Sequence, residues 1–295
     1  MQKTMLDRVE RVADDVVSLV LRGDEGLLEP WEPGAHIDLA LPNWLTRQYS
    51  LCGDPGDLSA YRIAVRLDPL SRGGSEYVHW YLRPGRTLEV SSPRNHFPLV
   101  PAPEYLFLAG GIGITPMVPM LRAAVSAGAA ASLVYVGRSA STMPFAAELR
   151  ATYGERVRLF DHGRPDLATL AVGPEAEVYC CGPASMLSAA EAIFPRLHTE
   201  RFQPTQRVFG PDTAFEVVCG RSGQTLQVPA DESLLDVLNH AGRPVPSGCR
   251  EGVCGSCELS VLDGEPEHRD DIGAPAGRMY PCVSRARSPR LVLDV

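Results

Sequence analysis

The chain has 295 residues, 44% of them hydrophobic and 22% charged, and a formal net charge of −8. That composition excludes a disordered, collagenous or coiled-coil chain, and the acidic balance argues against a protein that tracks nucleic-acid phosphates. The length exceeds one ordinary core and asks for two or three domains.

The first ten residues alternate charged and apolar types, with no continuous apolar stretch and no cleavage site. No signal peptide is expected, and the cytosol is the expected compartment. From Val16 to Leu99 short segments are punctuated by prolines: Val16 to Leu21, Ala35 to Leu41, Gln48 to Cys52, Tyr61 to Leu67 and Thr87 to Ser91. This spacing predicts an antiparallel β-barrel. The uncharged run Tyr105 to Leu121 is too short and too broken by glycine and proline for a membrane span. Read instead as Tyr105 to Ala109 (strand) and Pro116 to Ala127 (helix), it opens an alternation of strands and helices. Ala131 to Val136, Val157 to Phe160 and Glu177 to Cys181 are the further strands, with helices at Phe145 to Thr152 and Ser185 to Phe194. That alternation predicts a parallel sheet with helical crossovers. A Pro/Gln/Gly segment at 205–212 reads as a linker. Beyond it Ala214 to Cys219 and Thr225 to Val228 read as a hairpin, and Ser233 to His240 as a short helix. The expected modules are therefore 1–99, 100–204 and 213–295. The last holds twelve acidic and eight basic residues, a charge of −4 and half the chain's total.

Eight cysteines in a reducing compartment point to metal or catalytic chemistry more than to disulfides. Cys249, Cys254 and Cys257 are spaced C-x4-C-x2-C, and Cys282 follows after 24 residues. This is the plant-type spacing for four thiolates on a 2Fe-2S cluster. The stretch SGCREGVCGSC supplies small residues, so that a loop can wrap an anionic cluster and turn amide N–H groups inward. A four-cysteine zinc site would bring a second C-x2-C pair, and a Rieske centre two histidines. Neither pattern is present. The 213–295 module thus resembles a plant-type ferredoxin, which implies an α+β, β-grasp-like fold.

Two strand-to-helix turns frame the middle module. YLFLAGGIGITPM, Tyr105 to Met117, runs from an apolar strand through glycines into a helix opened by Pro116. Such a turn lets backbone approach a pyrophosphate at a helix N-terminus. About seventy residues on, VYCCGPASM repeats strand, turn and helix. Alone, each turn has an ordinary structural reading. Together they resemble the nicotinamide-nucleotide domain of the ferredoxin reductase superfamily. The resemblance implies that Gly111, Gly113, Thr115 and Pro116 line the pyrophosphate and nicotinamide side, with Cys181, Gly182 and Pro183 beside the nicotinamide ring. Arg138 and Ser139 are expected near the adenosine ribose. No acidic residue marks that strand end, and the expectation is NADH with NADPH left open.

RQYSL at Arg47 to Leu51 and SRGGS at Ser71 to Ser75 read alone as strand and loop. Within this superfamily R-x-Y-S is the flavin signature. It implies that Arg47 pairs with the flavin phosphate, that Tyr49 packs on the isoalloxazine and ribityl with Gln48 beside it, and that Ser50 bonds near N5. Arg72, Gly73, Gly74 and Ser75 are expected at the same phosphate, and the strand Ala64, Val65 and Arg66 at the flavin's flank. The order of barrel, nucleotide domain and C-terminal ferredoxin resembles the phthalate dioxygenase reductase family over essentially the whole chain. That order implies FMN, and an aromatic near the end of the nucleotide domain covering it. Phe202 is the position carried over, with Phe209 its competitor, while His198 and Glu200 read as solvated linker residues.

The resemblance implies electron flow from NADH through FMN and the cluster to a terminal oxygenase of Rieske type. A haem-thiolate monooxygenase is the rival partner, and a redox-sensing module without turnover the reading from another class. Ser50, Thr115 and Cys181 would position groups and not attack them. Cys52, Cys180 and Cys219 read as core residues, and a transiently docking monomer is expected, with no membrane or nucleic-acid partner.

Overall fold

The computed structural model describes residues 1–295 except Glu25 and Gln206, so part of the 205–212 linker lies outside the described residues. The chain forms two compact units, Met1–Arg201 and Phe202–Val295. Among the described residues no helix is long and apolar enough to cross a membrane.

The first unit opens with β1 (Gln2–Ala13), β2 (Val16–Gly23), β3 (His36–Ala40), β4 (Thr46–Ser50) and β5 (Ala60–Arg66). A helix α1 (Gly74–Trp80) and β6 (Thr87–Val90) follow. These strands pair antiparallel in the order β4-β3-β6-β1-β2-β5, and a Leu51–Ile63 bridge joins the end of β4 to β5, closing the barrel. Alternate residues such as Leu19, Leu21, Ile37, Leu39 and Ile63 fill its interior, as the period of two requires. The α1 helix corrects the expectation of a loop at Ser71 to Ser75: Gly74 and Ser75 are its first residues, held because Val78 and Tyr77 pack on the barrel core.

The same unit continues with β7 (Glu104–Gly110), α2 (Ile114–Ser126), β8 (Ala130–Val136), α3 (Ala146–Tyr153), β9 (Val157–Phe160), β10 (Glu177–Cys181), α4 (Ala184–Glu191) and β11 (Leu197–Glu200). The five strands are parallel, in the order β11-β10-β7-β8-β9. The helix begins at Ile114, two residues before Pro116. Barrel residues Val16, Cys52 and Ala64 share one apolar cluster with Phe107, Met117, Tyr135 and Tyr179 of the parallel sheet. The connection between barrel and sheet is pinned by two tyrosines. Tyr179 Oη donates to Pro98 O at 3.0 Å and accepts from Val100 N at 2.8 Å, while Tyr105 Oη donates to Val100 O at 2.8 Å.

The second unit holds β12 (Phe215–Cys219), β13 (Thr225–Val228), α5 (Leu234–His240), β14 (Leu259–Asp263), β15 (Pro266–Glu267), β16 (Arg278–Met279), β17 (Arg285–Ala286) and β18 (Arg290–Leu293). A mixed sheet β13-β12-β18-β14-β16, with β12 parallel to β18, packs apolar residues around Leu234, Leu235 and Leu238 of α5. Ser233 caps α5, its Oγ accepting from Asp236 N at 3.1 Å. Among the described residues this is an α+β arrangement of the β-grasp kind, with the cysteine loop running between α5 and β14.

Candidate functional site

Three donor sets stand out, two in the first unit and one in the second. In the barrel, β4 brings Arg47 beside the start of α1. Arg47 Nη1 donates to Thr46 O at 2.9 Å and Nη2 to Arg72 O at 3.2 Å. A Cβ on Gly74 would fall 2.6 Å from Arg47 Nε, so only glycine lets the guanidinium lie against the helix start. Ser71 Oγ accepts from Gly73 N at 3.1 Å and Glu76 N at 3.4 Å, and Ser75 Oγ donates to it at 3.1 Å. Guanidinium, hydroxyls and helix-start N–H groups form a donor set with the chemistry of a phosphate site. Ser50 is buried at the end of β4 beside half-buried Gln48 and Tyr49, and Tyr49 packs against the barrel core, where burial raises its phenol. Ala64 and Val65 send their side chains into two apolar clusters. Only their backbone remains for a ligand, and Val65 O already faces His79 Nε2 at 2.9 Å.

A cleft of about 540 Å³ lies at the C-terminal edge of β7, β8 and β10, where ligands of parallel sheets bind. Its wall includes the expected Gly111, Arg138, Pro183 and Arg66. Thr115 and Cys181, at 2% and 1% exposure, and Gly113 and Pro116 are buried and do not contribute to that wall. Ser139 lies next to it, in a hydroxyl cluster with Ser141 and Thr142 at 3.2 Å. Gly113 packs tightly on β10: a Cβ there would sit 2.2 Å from Cys181 O. Gly113→Ala is therefore expected to cost about 1–3 kcal/mol by overpacking and to raise the KM for the nucleotide, checked by thermal melting and steady-state kinetics.

Cys181 has a thiol that burial holds well above its ordinary range, so it stays neutral, in keeping with a positioning group. Its neighbour in the β10–β11 register is Glu200. Here the solvated-linker reading of His198 and Glu200 is corrected. Both lie in β11: His198 Nε2 is 2.8 Å from Glu177 Oε2, and the His198 ring stacks on Tyr179 at 4.5 Å. Glu200 Oε2 is buried with no hydrogen-bond partner, and desolvation raises its carboxyl to about 8. Because the folded value lies above the unfolded one, the native state binds the extra proton between about pH 4.5 and 8. Stability falls as pH rises through that window, by up to about 1.4 kcal/mol per unit. Glu200→Gln is expected to flatten this slope in denaturant titrations run across the window.

Sequence reading missed Asp15, Arg164, Ser71 and Glu200. Arg164 follows β9, and the strand-end rule that located the other loops would have found it. Asp15 lines the cleft from the β1–β2 turn and faces Arg138 Nη2 at 3.4 Å, a juxtaposition made by the tertiary fold without a local signal.

In the second unit the four cysteines fall into two interacting pairs, Cys249 with Cys254 and Cys257 with Cys282. Main-chain N–H groups turn toward the sulfurs: Cys249 N to Cys254 Sγ at 3.4 Å and Glu251 N to Cys249 Sγ at 3.3 Å. Hydrogen bonding from Cys249, then from Ser256, lowers the Cys254 thiol to about 6, which favours a thiolate ligand. Arg250 sits at φ +62 and its guanidinium pairs with Asp236. Among the described residues no three His, Cys, Asp or Glu side chains gather tightly enough for one metal ion. Two thiol pairs ringed by N–H donors fit a two-iron cluster. Phe202 begins the unit at 40% exposure, and Phe209 packs under the Arg269 guanidinium at 4.6 Å.

Residues 217–287 match the 2Fe-2S iron-sulfur cluster binding domain. The chain is 42% identical, over 100% of both chains, to vanillate O-demethylase oxidoreductase of a Pseudomonas species. The structure of phthalate dioxygenase reductase, described as a modular structure for electron transfer from pyridine nucleotides to a 2Fe-2S centre, is 36% identical. It matches 99% of this chain and 97% of its own, with a TM-score of 0.73. An intact type IV self-sufficient cytochrome P450 monooxygenase matches at 40% identity and a TM-score of 0.89, covering 100% of this chain. The chain spans only 41% of that larger protein. A closed flavin-type barrel, a parallel nucleotide sheet and a ferredoxin module in one chain define an electron-transfer reductase. The chain belongs to the phthalate dioxygenase reductase family.

Proposed function

We propose that the chain takes hydride from NADH onto FMN and passes the electrons singly through its 2Fe-2S cluster to a terminal oxygenase, a Rieske-type ring hydroxylase or O-demethylase. The observation that carries this reading is the union, in one chain, of a phosphate-type donor set on a barrel, a dinucleotide-sized cleft and a cysteine loop of plant-type spacing. Its working parts are 1–99, 100–204 and 213–295, joined by 205–212, and the cytosol supplies the reducing setting that the thiols need.

When bound, FMN accepts two electrons together and releases them one at a time, the conversion that a one-electron cluster requires. Arg47, Ser71, Ser75 and the start of α1 hold its phosphate. Tyr49 and Ser50 orient the ring from β4. The glycine turn after β7 and the Pro183 turn after β10 seat the nucleotide, with Arg138 and Arg164 on its anionic groups. Buried Cys181 and Glu200 stay largely neutral at pH 7, so they act by packing and position and not by charge. Cys249, Cys254, Cys257 and Cys282 ligate the cluster. The acidic ferredoxin module then docks on a basic surface of the oxygenase, with an on-rate that falls as salt rises.

A second reading, delivery to a haem-thiolate monooxygenase, is favoured by the full-length match to the self-sufficient P450 chain. Mass measurement of the released flavin tests FMN, and NADH-driven reduction of a purified Rieske oxygenase against a haem-thiolate acceptor separates the two partners. Failure to reduce either acceptor would remove the reductase reading.

A further inference from the structure

We propose that the segment leading into the ferredoxin module is a strap that sets the reduction potential of the cluster, with Asp271 as the positioning residue that links the two. This rests on the reading that the four cysteines hold a 2Fe-2S cluster. Thr205 and Arg207, at the start of the 205–212 segment, are tied to the 270–271 turn. Thr205 N donates to Asp271 Oδ2 at 2.5 Å, Arg207 Nη2 to Asp271 Oδ1 at 2.6 Å, and Arg207 Nη1 to Asp270 O at 3.3 Å. The Asp271 side chain is only 5% exposed, so its carboxylate is fixed in place and accepts these charge-assisted bonds from donors at the surface.

From Asp271 the contact continues into the cysteine loop. Asp271 N donates to Gly252 O at 3.0 Å, and Gly252 stands between Cys249 and Cys254. The loop has no slack at that point: Gly252 is at φ +71, and a Cβ there would fall 3.0 Å from Asp270 Cα and 2.7 Å from Val283 Cγ2. Beside Gly252, Glu251 N donates to the Cys249 sulfur at 3.3 Å. The turn after Asp271 is braced by Gly273 N donating to Asp270 Oδ2 at 2.8 Å. One chain of contacts thus runs from Arg207 through Asp271 and Gly252 to a cluster ligand.

Hydrogen bonds to cluster sulfurs are among the determinants of reduction potential. They stabilise the reduced cluster more than the oxidised one, because the added electron increases the negative charge on sulfur. A strap that holds the 270–271 turn on Gly252 fixes the loop that carries the Glu251 bond to sulfur. Releasing the strap loosens that bond and moves the potential negative, which slows electron entry from the flavin. Thr205 and Arg207 lie in the same compact unit as the cysteine loop, Phe202–Val295, so the contact is internal to that unit.

The test is an EPR-monitored redox titration of the holoprotein with Arg207→Ala, Asp271→Asn and the double variant. Each single change is expected to move the cluster midpoint negative. The double is expected to move it no further than the larger single, since both act through one contact. Arg207→Lys, which keeps the charge, is expected to restore part of the shift. Arg207 is 45% exposed at the surface, so its replacement leaves the fold intact, and it decides the matter alone if Asp271→Asn fails to assemble a cluster. A wild-type midpoint in the Arg207→Ala protein, with a full cluster signal, would overturn the proposal, as would a double-variant shift equal to the sum of the singles. A wild-type protein with no cluster signal would overturn the cluster reading instead.

Discussion

Replacing Cys254 with Ser is expected to abolish NADH-driven reduction of a one-electron protein acceptor while flavin bleaching by NADH continues at its normal rate. Cys254 Sγ accepts from Cys249 N at 3.4 Å and lies 3.1 Å from Ser256 Oγ, contacts that favour a thiolate there. It pairs with Cys249, so its loss leaves one thiol of that pair without its neighbour. An alkoxide ligand is harder and far more basic than a thiolate, so Ser does not replace Cys on iron under neutral conditions. The first unit contains no cluster thiol and has its own cores, which is why its reactions should survive. Stopped-flow absorbance separates the two steps. A variant that still reduces the protein acceptor at the wild-type rate would remove Cys254 from the path.

Arg47→Ala is expected to yield flavin-poor protein with the cluster absorbance retained. The Arg47 guanidinium lies against Gly74 at the start of α1, where it offers a two-pronged donor to a phosphate. Charge-assisted hydrogen bonds contribute about 1.5–3 kcal/mol, so flavin binding should weaken by roughly ten- to a hundred-fold. The ratio of flavin to iron in purified protein and a flavin-binding titration measure this. Arg47→Lys is expected to recover binding only in part, because an ammonium is a point charge and cannot form the fork. Unchanged flavin content in Arg47→Ala would place the phosphate elsewhere.

Legibility in the sequence followed the range of the forces involved. β9 and β10 match their expected spans residue for residue, because each is a short segment carrying β-branched and aromatic residues between turn residues. The first strand was not seen. Bulges between Leu6 and Arg8 and between Arg11 and Ala13 shift its phase, so the period of two is broken along its twelve residues. β11 was missed for a different reason. Its four residues LHTE carry no strand signal, and pairing with β10 across a helical crossover is what makes them a strand. That miss hid Glu200, whose burial follows from the same pairing. Helix α1 escaped because a helix that starts Gly-Ser is stabilised by packing on the barrel and not by propensity.

The cluster site was the most legible, since four cysteines within 34 residues bring their spacing with them. The nucleotide cleft was half legible. Its glycine turns are local, whereas Asp15 and Arg164 reach it from other elements. Thr115 and Cys181 match the superfamily turns in sequence, yet both side chains are buried.

The most direct measurement is an anaerobic titration of the purified protein with NADH, followed by absorbance and low-temperature EPR. The account predicts that flavin absorbance bleaches on the first additions and that a reduced 2Fe-2S signal then grows in, with one electron reaching the cluster per chain. An oxidised flavin with no cluster signal after excess NADH, in protein loaded with both groups, would contradict it.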